Sequence, residues 1–254
     1  MQKTIVFFML ITFMFIPPAF SGEEQLPDQI TFNEVIMPSS AMLIGEITKS
    51  ADAAFLASKI NASAPKVGYA FATGVSEDKG SFKLGVLMAD LKIAFNAGDK
   101  EKITTAVRSL ATGLVQLGAS TALIKSVANL GTAVKAGIDP DAVKKASLPV
   151  LEPFIEDFIE KQGKTLYLRI GEWTEAARLA ALAGEQGKTE AIAGFIKKIN
   201  PADYFMTALK DKGAPAGAIA SLKILAEMKS AEKIGVKEIK TALKAVDNII
   251  KLMG

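Results

Sequence analysis

Signals that end one helix and start the next follow each other closely along this chain. Gly98 is followed directly by Asp99, and Gly137 is followed within three residues by Asp139 and Pro140. Glycine takes the left-handed conformation that ends a helix, Asp accepts hydrogen bonds from the next first turn, and Pro fits that turn because its missing N–H is not needed there. Between these signals, apolar residues recur every third or fourth position, which is the helical period. The pattern predicts an all-α protein.

Helical periodicity covers most of the chain, and no linker rich in Pro, Gly or Ser divides it. Pro149 and Pro153 are expected to kink or split the helix in which they lie. We therefore predict one all-helical domain at residues 40–254, a bundle of about ten short-looped helices, after an extended segment at 22–39. The predicted helices span residues 40–61, 66–74, 81–97, 100–117, 121–136, 140–162, 165–185, 189–199, 201–211, 216–230 and 236–252.

The first 21 residues have the three parts of a secretory signal peptide. Lys3 supplies the positive charge, residues 5–16 are apolar, and Ala19 and Ser21 put small residues at the −3 and −1 positions of a cleavage site. An uncleaved membrane anchor is the alternative, but it needs about 20 apolar residues. We predict cleavage after Ser21 and a periplasmic or secreted protein with no transmembrane anchor after cleavage. A lipid anchor would need a cysteine, and the chain has none.

The composition excludes several kinds of chemistry. The chain contains neither Cys nor His. Disulfides, iron–sulfur clusters, ordinary zinc sites and nucleophilic systems built on His are therefore ruled out. The net charge of +3 is too small to indicate nucleic-acid binding. We expect a non-enzymatic protein without a metal or cofactor.

A turn of the form Gln-Gly-Lys-Thr occurs twice, at residues 162–165 and 186–189. The second copy faintly resembles a phosphate-binding loop. That motif also requires a glycine where Leu182 stands, and a strand before the loop, whereas a helix is predicted here. We interpret both copies as glycine-capped helix ends.

Asp90 lies in the middle of an almost wholly apolar helix, which predicts a central, buried position for that helix. A buried carboxylate needs a partner. Arg169, one of three arginines, lies on an otherwise apolar helix face, and Trp173 is its i+4 neighbour. Arginine grips a carboxylate with two hydrogen bonds and stacks on aromatic rings. We predict a buried Asp90–Arg169 pair with Trp173 packed against it.

An alternative makes Asp90, Glu172 and Glu175 a set of carboxylates lining a cleft for acid–base hydrolysis. Glu172 and Glu175 are also the i,i+3 neighbours of Arg169 and Arg178, respectively, as in ordinary ion pairs on a helix surface. The structural interpretation is favoured. Complete burial of all three carboxylates would exclude the hydrolase.

The last predicted helix is amphipathic, with a lysine strip opposite an apolar face. The strip consists of Lys237, Lys240, Lys244 and Lys251. It is a candidate interaction face for an acidic partner or an anionic membrane, although such a strip is more often the solvated side of a docked helix.

Three stretches together resemble an uncharacterised family of secreted, all-helical bacterial proteins. They are the G-x-L-x-A-D pattern at residues 85–90, the Ala-Gly-Asp-Lys-Glu turn at 97–101, and Gly-Glu-Trp at 171–173. In that family an arginine closely follows the tryptophan, whereas Thr174 and Glu175 stand there in this chain. The resemblance covers most of residues 66–254 and implies the fold and the location, with no activity attached.

Two functions remain open from the sequence. The first is a non-catalytic protein-interaction or scaffolding role with a protein partner in the cell envelope. The second is a carrier or sensor of an apolar small molecule held between helices, where Ala- and Gly-rich stretches would line the pocket.

Overall fold

Two long helices that are buried over most of their length form the centre of the protein. The computed structural model describes residues 29–32, 35–60 and 76–254. In it, α3 (Glu77–Ala97) is buried from Gly80 to Phe95, and α7 (Thr165–Glu185) is buried over most of its residues. A helix that is apolar on nearly every side must be surrounded by other elements, as the sequence of α3 predicts.

The other helices surround this pair, and the all-α prediction is confirmed. Helices α8 and α11 pack on α7, α4 packs on α3, α5 packs on α4, and α10 packs on α11. A short antiparallel hairpin precedes them, with Gln29 opposite Pro38. The bounds are β1 (Gln29–Phe32), β2 (Val35–Pro38), α1 (Ser40–Thr48), α2 (Ala53–Lys59), α4 (Lys100–Gln116), α5 (Thr121–Lys135), α6 (Pro140–Lys161), α8 (Thr189–Lys198), α9 (Ala202–Asp211), α10 (Ala216–Glu227), a 3-10 turn (Met228–Ser230) and α11 (Val236–Met253).

The predicted helix ends have the expected local geometry. Gly98 has a φ of 66°, and its N–H donates to the Phe95 carbonyl at 3.0 Å. Asp99 then accepts from the Lys102 N–H at 3.0 Å, which starts α4. The two Gln-Gly-Lys-Thr turns end α6 and α7, and their glycines, Gly163 and Gly187, have φ values of 68° and 87°. Both turns follow a helix, so their interpretation as helix ends is confirmed.

Some predicted boundaries are wrong. The predicted helix at 40–61 is two helices, because Asp52 accepts from the Phe55 N–H at 2.8 Å and starts α2. Helix α6 continues through Pro149 and Pro153, so the predicted split does not occur, and a kink at these prolines stays a prediction. Both prolines lie on its exposed side, where water can hydrogen-bond the backbone carbonyls that each proline leaves without a donor.

Several predictions fall on residues outside the described ranges. These are the signal peptide at residues 1–21, the helix at 66–74 and part of the extended segment at 22–39. Across the ranges 29–32, 35–60 and 76–254, no helix combines the length and apolar character needed to cross a membrane.

Helices α3 and α7 touch through their backbones. A Cβ atom added at Gly85 would lie 2.0 Å from the Leu168 carbonyl oxygen, and one at Gly171 would lie 2.1 Å from the Phe82 carbonyl oxygen. No side chain fits at such distances, so both positions require glycine. Lys164 Nζ lies 2.6 Å from Asp78 Oδ1 where the two helices begin, so α3 and α7 run in the same direction.

Candidate functional site

Helix α7 carries a buried row of charged side chains. Arg169, Glu172, Glu175 and Arg178 follow each other at intervals of three, and none is more than 9% exposed. Arg169 Nη1 donates to Glu172 Oε2 at 2.9 Å, and Arg178 Nε donates to Glu175 Oε2 at 2.8 Å. The predicted i,i+3 pairs therefore form, but they lie inside the protein rather than on a helix surface.

Arg169 has a second carboxylate partner on α6. Its Nη2 lies 2.8 Å from Glu156 Oε2. Arg169 thus pairs with Glu156 and Glu172, and the predicted pairing with Asp90 is wrong. The physical reason is reach: Glu172 is one turn away on the same helix, and the short turn between α6 and α7 brings Glu156 to the same guanidinium.

Burial and neighbouring charges shift the pKa values of Glu156 and Arg169. Burial raises the pKa of Glu156, and the nearby Arg169 charge offsets only part of this. Burial also opposes the charge on Arg169, but the carboxylates of Glu172 and Glu156 outweigh it and raise the pKa of Arg169. The guanidinium therefore stays charged inside the protein.

Trp173 anchors a different part of the bundle from the one predicted. Asp90, Arg169 and Trp173 are all buried. The Trp173 ring packs against Phe195 and Phe205, with centroids 6.0 and 5.6 Å away. Its Nε1 donates to the Ile199 carbonyl at 3.1 Å. The tryptophan thus holds α8 and α9 against α7 instead of stacking on Arg169.

The carboxylate set considered for hydrolysis has no access to a substrate. Asp90, Glu172 and Glu175 are 0%, 1% and 0% exposed, respectively. Since an acid–base pair must reach the bond that it cleaves, the hydrolase hypothesis fails on these residues. In the described part of the chain, no group of three acidic side chains is arranged to hold a metal ion.

The lysine strip of α11 lies on the side of that helix that faces solvent. Lys237, Lys240, Lys244 and Lys251 are exposed, whereas Ile239 and the other apolar residues opposite are mostly buried. This is the arrangement of a docked helix with one solvated side. An acidic partner for the strip stays a prediction.

Two openings in the protein surface lie on either side of α6. A cleft of about 980 Å³ lies between α1, the end of α3 and the first half of α6. On the other side, two adjoining hollows of about 600 and 430 Å³ share Ser126 and Phe154 and form a groove between α5 and α6. At 100° per residue, Leu148 and Glu152 of the cleft lie roughly 160° around the helix from Val150 and Phe154 of the groove.

The groove was not predicted from the sequence, although a signal for it exists. One apolar strip of α6, which includes Leu151, Ile155 and Ile159, is buried against the bundle. Val150 and Phe154 form a second apolar strip four residues apart, outside that face. A helix with one buried face does not need a second apolar strip. The second strip of α6 therefore indicated an apolar surface outside the core.

Comparisons with protein-family models, with curated proteins and with solved structures find no match to this chain. The resemblance to a family of secreted helical proteins therefore stays a prediction.

Proposed function

We propose that this protein is a non-catalytic binding protein of the periplasm or extracellular space that holds an amphipathic helix of a partner protein in the α5–α6 groove. The observation that carries this proposal is the gathering of exposed apolar side chains there. Val150 and Phe154 are each 60% exposed and Ile138 is 50% exposed. Six large apolar side chains are exposed in the described part of the chain, and these three line one groove. A contiguous apolar patch of this kind marks an interaction surface.

The shape of the groove favours a helix as its occupant. Along α6 it extends from Ala142 to Lys161, which is about 28 Å at 1.5 Å per residue. Small residues such as Ala133 and Ala146 line it, so an incoming helix can approach closely. A long groove of this kind accepts apolar side chains spaced at i, i+4 and i+7.

The charges at the groove indicate which kind of partner helix can bind there. Helix α5 has no acidic residue, and Asp157 on the α6 side already pairs with Lys161 at 2.6 Å. The walls therefore offer apolar contact and little unbalanced charge. The partner helix should present an apolar face, with its own charges directed to solvent.

The location in the periplasm or outside the cell is supported by the signal-peptide pattern of residues 1–21. A partner in the same compartment, in the cell envelope, follows from it.

Photo-crosslinking in the source cell tests the groove. A photoreactive amino acid in place of Val150 should give a discrete adduct, and mass spectrometry should map the attached peptide to an amphipathic helix of another protein. A synthetic peptide of that segment should then bind the protein, and Phe154→Asp should weaken its binding at least tenfold. Since Phe154 is 60% exposed, this variant should keep the thermal stability of the wild type.

The matched control is the same photoreactive residue in place of Val115, which is 56% exposed on α4 and lies outside the groove. It should give no such adduct. Equal adducts from both positions, attachment to a second copy of this chain, or peptide binding unchanged by Phe154→Asp would each overturn the proposal.

A further inference from the structure

The cleft on the other side of α6 combines an apolar floor with a charged rim. Ile44 of α1, Phe95 of α3 and Leu148 of α6 line its apolar part. Its volume of about 980 Å³ is at the upper end of the range for small-molecule sites. The cleft is thus large enough for a ligand with an extended aliphatic part.

Three lysines line this cleft, and their partners differ. Lys92 Nζ lies 2.9 Å from Glu152 Oε2, and Lys145 Nζ lies 2.6 Å from Asp141 Oδ2. Each of these ammonium groups is neutralised by a carboxylate. The half-buried Lys144 instead donates at 2.6 Å to the amide oxygen of Asn96, which carries no charge.

Among the residues that the structure describes, no carboxylate forms an ion pair with Lys144, which lies beside an apolar floor. Asp141 lies near enough to act on Lys144, but its carboxylate is already bound by Lys145. A carboxylate on a ligand would give the Lys144 ammonium an acceptor of opposite charge, which the uncharged amide of Asn96 is not. An apolar chain attached to that carboxylate would displace water from the floor.

From this arrangement we infer that the cleft between α1, α3 and α6 binds an amphiphilic carboxylate, with its acid group at Lys144 and its aliphatic chain along Ile44, Phe95 and Leu148. The inference does not depend on the partner groove, which lies on the opposite side of α6. It adds a small-molecule site to a protein that is proposed to act through protein contacts.

Titration calorimetry with the full chain tests the site, with sodium myristate and tetradecanol as probes below their aggregation limits. Myristate should bind at one site, and tetradecanol, which has the same chain without the acid, at least tenfold more weakly. Lys144→Gln should weaken myristate binding at least tenfold. Lys125→Gln is the matched control, because this exposed lysine lies on α5 away from the cleft.

A second variant tests the position of the chain without disturbing the core. A Cβ atom at Gly45, on the wall of the cleft, would meet nothing within 4 Å. Gly45→Phe should therefore fill the cleft and abolish binding, whereas Phe154→Asp in the groove should leave it intact. No myristate binding to the wild type, equal binding of tetradecanol, or full binding to Gly45→Phe would overturn the inference.

Discussion

Arg178 joins two distant parts of the chain through one side chain. Its guanidinium donates two hydrogen bonds to the Glu175 carboxylate. Its Nη2 also donates to the carbonyl of Lys59, at the end of α2, at 2.6 Å. The planar fork of arginine can make these bonds together, which a lysine ammonium cannot do with the same geometry. The residue therefore neutralises a buried acid and holds α2 on α7.

Removing the Arg178 side chain should destabilise the protein. We expect Arg178→Met to lower the free energy of unfolding by about 3–5 kcal/mol, because Glu175, with 0% exposure, would lose its guanidinium partner. Arg178→Lys should cause a smaller loss, since it keeps the charge without the fork. Urea denaturation measures both.

Arg108 provides the control, because it is exposed on α4. Arg108→Met should change the free energy of unfolding by no more than about 0.5 kcal/mol. If Arg178→Met were equally mild, the buried pair would not contribute to stability as inferred.

At the scale of elements, the contact between α3 and α7 depends on two glycines. Gly171→Ala would place a methyl group 2.1 Å from the Phe82 carbonyl oxygen, and neither backbone can rotate away as a side chain could. The helices would have to separate along their buried contact. We expect a loss of about 3 kcal/mol or more in the free energy of unfolding.

A glycine-to-alanine substitution at an open position should instead raise the free energy of unfolding. At Gly45 in α1 the new methyl group meets nothing within 4 Å, so Gly45→Ala should stabilise the protein by about 0.5–1 kcal/mol through helix propensity. Thermal unfolding of both variants measures the contrast. Similar changes in both would show that α3 and α7 are not in backbone contact.

The elements could be predicted from local chemistry, and their mutual contacts could not. The Gly98–Asp99 turn carries its own signal, because the left-handed glycine and the capping carboxylate act within four residues. The cap at Asp52 was missed, because the apolar pattern continues on both sides of it. The partner of Arg169 was missed for a different reason: Glu156 is on another helix, and only the turn between α6 and α7 sets which α6 residue faces the guanidinium.

At the scale of the whole molecule, stability should depend on the protonation of Glu156. Burial raises its pKa above the ordinary value of 4.5. The folded chain therefore holds this proton more tightly than the unfolded chain does. The resulting stabilisation is fully present below pH 4.5 and is lost as the pH rises through the raised pKa.

Chemical denaturation of the wild type and Glu156→Gln between pH 4.5 and 7 tests this dependence. The wild type should gain stability relative to the variant as the pH falls, because glutamine binds no proton. Gly45→Ala is the uncharged control, and its difference from the wild type should be constant with pH. A constant difference for Glu156→Gln as well would contradict the assignment.

The side-by-side packing of α3 and α7 also sets the order in which the chain can fold during synthesis. Glu185, the end of α7, comes 88 residues after Ala97, the end of α3. At roughly 5–20 residues per second, the ribosome needs about 4–18 s to make that interval. For that time α3 lacks the helix against which Gly85 packs. The native contact between α3 and α7 therefore forms only after most of the chain has been made.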